Sequence, residues 1–155
     1  FKMPSYHAFY FLGKMHGRIL YNGDGVLLRR DERSIYLLIY NYVHPGRYGD
    51  STIRRSDRYE PHQDIAQVQF NLHLTGVTPG EYKLNEYIVN PASASCYDIW
   101  GQMGAPDTLE KDDISYIHAM NVPEQHVSRQ KISDHWHLNR VLGENEFRLL
   151  VLRRP

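Results

Sequence analysis

Short runs rich in apolar and β-branched residues, parted by turn signals, recur along this chain and predict strands. Alternation is cleanest at residues 67–74. There Val68, Phe70, Leu72 and Leu74 oppose Gln67, Gln69, Asn71 and His73, so one face is buried and the other wet. Residues 18–21, 25–30 and 34–43 are rich in Ile, Leu, Val and Tyr, and are parted by Asn22-Gly23-Asp24-Gly25 and by Asp31-Glu32-Arg33. Turns this short predict an antiparallel meander. Thr78-Pro79-Gly80 leads into a strand over 81–89. Three more strand-like runs follow at 124–132, 135–142 and 146–153, the last two joined by Gly143-Glu144-Asn145. Residues 44–65, polar and carrying two Pro and two Gly, form one long irregular insertion.

Helical spacing replaces alternation in two places. Tyr6, Phe9, Tyr10 and Leu12 recur on one stripe after Pro4-Ser5, predicting an amphipathic helix over 5–15. In a second helical stretch, around 94–119, the small residues Ala92 to Ser95 allow close backbone approach. Tyr97, Ile99, Trp100 and Met103 then put bulk on a short helix that Gly101, Gly104 and Pro106 end. Asp107 and Glu110 form a capping box for another helix, with Leu109, Ile114 and Ile117 turned inward. The expected fold is mainly β: an antiparallel β-sandwich of about eight strands with two or three short helices.

A chain of 155 residues supports one domain that buries about 70% of its surface. Eighteen basic residues balance eighteen acidic ones, so no net field draws the chain to nucleic acid or an anionic membrane. Arg29, Arg30 and Arg33, and then Arg54, Arg55 and Arg58, are interrupted by acids and read as solvated faces. The lone Cys96 rules out an internal disulfide and multi-thiolate zinc sites, and its neighbours suit a small buried hydrophobe.

Candidate chemistry is sparse. Asp112-Asp113, Glu144 and Glu146 are acidic pairs that helix starts and hairpins explain, so no catalytic residue is assigned. His135 and His137 share a strand face beside Asp134, but the chain offers no visible third ligand, and neither a metal nor another cofactor is expected. With 12 Tyr, 2 Trp and 5 Phe, the sandwich has the rings to stack a sugar. Trp136, between two histidines, is the first candidate, followed by Tyr48 and Tyr59. The alternative is that the tyrosines of 35–43 bury their rings against a neighbouring sheet or domain.

The run NPASASCYDIWGQMGAPDTLEKDDISYI at 90–117, the opening PSYHAFYFLGKM and the strand SIYLLIYNYVH together resemble the C-terminal β-sandwich region of glycoside hydrolase family 39, the β-xylosidase group. Pro4, Tyr6, His7, Ala8, Phe11 and Leu12 match the helix by which those chains leave a (β/α)8 barrel. The resemblance implies that residues 1–16 are an exit helix from an upstream barrel in the same polypeptide, and that 17–155 are the sandwich packed on it. It also implies interdomain packing through Tyr6, Phe9, Tyr97, Trp100 and Met103. The acid/base and nucleophile carboxylates would lie in the barrel, which needs at least about 200 residues of its own. The wording YDIWGQMGAPDTLEKDDI is more similar to a subset that joins such a module to an AraC-type transcriptional regulator. A parent of that kind would be cytoplasmic and sugar-responsive.

Overall fold

The computed structural model describes residues 1–43 and 66–155. Tyr48, Tyr59 and the insertion at 44–65 lie outside the described residues. Within them the element order is α1 (Pro4–Lys14), β1 (Arg18–Gly23), β2 (Val26–Arg30), β3 (Ser34–Asn41), β4 (Val68–Thr75), β5 (Gly80–Val89), α2 (Cys96–Gln102), α3 (Lys111–Met120), β6 (Glu124–Ile132), β7 (His135–Leu142) and β8 (Glu146–Arg153).

The strands form two antiparallel sheets, a six-stranded one ordered β1-β2-β3-β8-β5-β6 and a two-stranded one of β4 and β7. The meander expected at 18–43 is present. Asp24 and Gly25, both at positive φ, make its first two-residue turn. A Cβ on Gly25 would stand 2.6 Å from the Tyr40 carbonyl oxygen, so the turn needs glycine for space as well as for its φ of 77°.

Strands β3 and β8 are central and covered on both sides, which explains their nearly unbroken apolar runs. Ile35, Leu37, Ile39, Leu150 and Leu152 point between the sheets and meet Phe70, Trp136, Leu138 and Leu142. Tyr36, Leu38, Leu149 and Val151 point the other way and pack beneath Phe11 and Met15 of the α1 region. Burial of a large apolar side chain is worth about 1.5–3 kcal/mol, so these two layers dominate the stability of the fold. A third, smaller cluster joins Cys96 and Ile99 of α2 to Ile117 of α3.

Three expectations change here. The capping box sits three residues later: Asp113 accepts from the Glu110 backbone N–H at 2.9 Å and Glu110 caps in return, so α3 begins at Lys111. The spacing is the same, but Asp107 precedes an irregular stretch that tucks Leu109 against the α2–α3 cluster. Ile114 is correspondingly 39% exposed. The third concerns Trp136, which is 4% exposed in the inter-sheet core and offers no platform to a sugar. On a strand whose histidines face solvent, the residue between them must face inward.

Candidate interdomain surface

The face of the large sheet that carries the helices is where the residues expected to pack between domains gather. Helix α1 buries only His7 and Phe11 and turns Tyr6, Phe9, Tyr10 and Leu12 outward, Phe9 being 74% exposed. Its grip is polar as well as apolar. His7 Nε2–H donates to Asn121 Oδ1 at 3.4 Å, and Asn121 Nδ2 donates to the Lys2 carbonyl at 2.6 Å, clipping α1 to the end of α3. Burial holds the His7 pKa below its usual value, the Asn121 contact opposes that, and the Lys2 charge adds to the lowering.

Tyr97 is exposed, whereas Trp100 and Met103 pack against the α2–α3 cluster, and the Trp100 indole N–H donates to the Pro106 carbonyl at 3.0 Å. Of the five residues assigned to interdomain packing, Tyr6, Phe9 and Tyr97 therefore present exposed ring surface. Trp100 and Met103 are engaged within the domain. Beside them runs an apolar groove of about 790 Å³ lined by Met3, Ala8, Tyr40, Tyr42, Tyr97 and Phe147. Tyr116, Met120 and Val122 add exposed apolar surface at the end of α3. The sequence signal was available, because Phe9 and Tyr6 fall off the stripe that His7 and Phe11 bury.

The acidic residues serve the fold. Glu86 bridges the sheets, taking Arg140 at 2.8 Å from β7 and Arg148 at 2.9 Å from β8, while Arg148 also binds Glu146 at 2.6 Å. Burial works to raise the Glu86 pKa, but the hydrogen bonds and charges of the two arginines outweigh it and hold the group below the ordinary carboxylate range. Glu146 also accepts the Gly143 N–H at 3.0 Å, closing the last hairpin. The sequence reading missed this network because its members are 54 and 62 residues apart.

The outer face of the small sheet supplies the third imidazole that the sequence reading lacked. His73 lies opposite His137, and its ring centroid is 5.1 Å from that of His135 and 5.2 Å from that of His137. His137 Nε2 is 3.0 Å from Asn71 Oδ1, and His135 Nδ1 is 2.5 Å from Asp134 Oδ1. Among the described residues, no group of three metal-ligating side chains is arranged to hold an ion. No described helix is long and apolar enough to cross a membrane.

No protein-family model matches the chain, nor does any curated protein. Solved structures do. A monomeric β-xylosidase from Caulobacter crescentus CB15 superposes with a TM-score of 0.77 at 24% identity, over 97% of this chain and 30% of its own. A family 39 glycoside hydrolase from Xanthomonas axonopodis pv. citri gives 0.79 at 19% identity, over 98% and 30%. A further C. crescentus family 39 β-xylosidase gives 0.65 at 20%, over 97% and 28%. At these identities the likeness is one of fold, and the chain spans less than a third of the length of each structure.

Proposed function

We propose that this chain is the non-catalytic β-sandwich of a larger sugar-handling protein similar to family 39 glycoside hydrolases, and that its helix-bearing face rests on a (β/α)8 barrel of the same polypeptide. One observation carries the reading: nearly the whole chain, 97%, superposes on a β-xylosidase of which it accounts for only 30%. The exposed rings of Tyr6, Phe9 and Tyr97 and the apolar groove beside them supply the surface that such a barrel would cover. A retaining glycosidase needs two free carboxyl groups about 5 Å apart. Glu86 and Glu146, which share Arg148, are both committed to arginine pairs in the core.

Two measurements test this. The purified chain should not hydrolyse aryl-xylosides, and turnover that survives purification would return the chemistry to this domain. The upstream part of the reading frame, expressed separately, should bind the chain, and Phe9→Asp with Tyr97→Ser should weaken that binding at least about tenfold, as for exposed aromatic anchors. Undiminished binding would move the interface elsewhere.

The wording of residues 97–114 supports a more specific parent, an AraC-type regulator whose barrel and sandwich sense a saccharide in the cytoplasm. Signalling of that kind requires a sugar that binds one domain arrangement better than another. A helix-turn-helix domain in the same reading frame is the expected finding; a secretion leader with two barrel glutamates would instead identify a hydrolase.

A further inference from the structure

The outer face of the small sheet gathers three imidazoles that burial does not draw together, since all three side chains are exposed. His135 and His137 stand two apart on β7 and project from one face, and register sets His73 of β4 directly opposite His137. The rings are close and evenly spaced. The His73 centroid lies 5.1 Å from that of His135 and 5.2 Å from that of His137. Imidazoles that share one tetrahedral zinc, each with its nitrogen about 2.0–2.1 Å from the ion, have their centroids about 5 Å apart. The side chains therefore already stand at the separation that a shared ion requires.

Two of the rings also carry the partners that metal-bound histidines carry. A ligating imidazole hands its other ring N–H to a carboxylate, a carbonyl or water, which fixes the tautomer and aims the lone pair. His135 Nδ1 meets Asp134 Oδ1 at 2.5 Å, which leaves the lone pair on Nε2. His137 Nε2 meets Asn71 Oδ1 at 3.0 Å, which leaves the lone pair on Nδ1. As the rings stand they are not arranged to hold an ion. Convergence needs only rotation about χ1 and χ2, and exposed side chains exchange rotamers within nanoseconds. The backbone beneath them is fixed, because β4 and β7 pair without a break from Val68 to Thr75.

We propose that His73, His135 and His137 bind a divalent cation of the zinc class, with water in the fourth position. Imidazole nitrogens suit zinc, copper and nickel, whereas magnesium and calcium take oxygen ligands. Asp134 sets a negative charge beside the cation through His135. Three histidines and a water make an open site, to which an outside ligand has access. The large sheet separates this face from the helices, so the site is independent of the proposed barrel contact.

Calorimetric titration of the 155-residue chain, made without a histidine tag and stripped with chelator, tests the site with zinc chloride and magnesium chloride as probes. Zinc should saturate at one ion per chain and magnesium should be silent. Cobalt(II), as a spectroscopic stand-in, should give the intense visible absorption of tetrahedral coordination. His73→Ala, His135→Ala and His137→Ala, all at exposed positions, should keep the circular dichroism of the fold and each weaken zinc at least about tenfold, since even the partners behind a ligand are worth that much. His126→Ala, on β6, should bind as the parent chain does. The site is refuted if zinc does not saturate, or if the cobalt spectrum is the weak one of six-coordinate ions. Unchanged zinc affinity in His73→Ala would also overturn it, reducing the cluster to an ordinary pair of surface histidines on β7.

Discussion

Glu86 is 5% exposed and holds two arginines from different sheets, which makes it the residue whose loss the sandwich should feel most. Removing one partner from a buried ion pair costs about 3–5 kcal/mol because the other charge stays buried and unmatched. Glu86→Gln should lower stability by that order in urea or thermal unfolding. Its pH dependence has a definite sign. A carboxylate whose pKa is lower in the folded state stabilises the fold fully above its unfolded value, and that stabilisation fades as pH falls toward the folded value. Glu86→Gln should therefore flatten the acid limb of the stability profile below about pH 4.5. A variant with unchanged stability and an unchanged acid limb would show that the network contributes nothing. At the same scale, Trp136→Ala should cost about 3–5 kcal/mol by opening the inter-sheet core. Loss of glycan binding without loss of stability would mean the indole is available to ligand after all.

Helix α1 is held by two buried side chains, so its attachment is open to titration. The His7 pKa is lowered in the folded protein, hence the unfolded state binds the proton more readily. Stability from this contact is complete above the ordinary histidine value of 6.5 and is lost as pH falls below it. Hydrogen exchange of the α1 amides should accelerate as pH falls below about 6.5 relative to β3 and β8, and His7→Gln should remove the difference. Uniform exchange across that range would show that α1 does not depend on a neutral His7. The same helix illustrates how far local pattern reaches. The existence and approximate limits of α1 and of all eight described strands followed from helical spacing, from the alternation of β4, from runs rich in Ile, Leu, Val and Tyr, and from Gly, Pro and Asn-Gly punctuation, because all of these are local properties of the chain. Partner choice was not legible: β8 lies between β3 and β5, and β7 leaves its sequence neighbours to pair with β4. Such pairing is decided by contacts between residues far apart in the chain, Val89 with Phe147 and Ser34 with Arg153 among them. Arg140 obscured the signal on β7, since a charged residue on the inward set hid the alternation of Trp136, Leu138 and Leu142 until Glu86 was seen to meet it.

At the scale of the whole molecule, the sandwich buries its own core and still leaves one side apolar. Tyr6, Phe9, Tyr10, Tyr97, Tyr116 and Met120 are each between 45% and 74% exposed, and all lie on the three helices. Single exposed rings are ordinary, but a run of them on one layer beside an open apolar groove is the pattern of a surface built to be covered. In the absence of a covering domain, the isolated chain should associate with itself in a concentration-dependent way. Light scattering or sedimentation over a hundredfold concentration range should show mass rising above 18.2 kDa, and the environment-sensitive dye ANS should bind. Phe9→Asp with Tyr6→Ser should restore the monomer without altering the circular dichroism, because both side chains are exposed and contribute little to the core. A strict monomer at the highest concentration, with no dye binding, would mean that these rings are content in water. The proposed barrel would then have to rest on a different face of the sandwich.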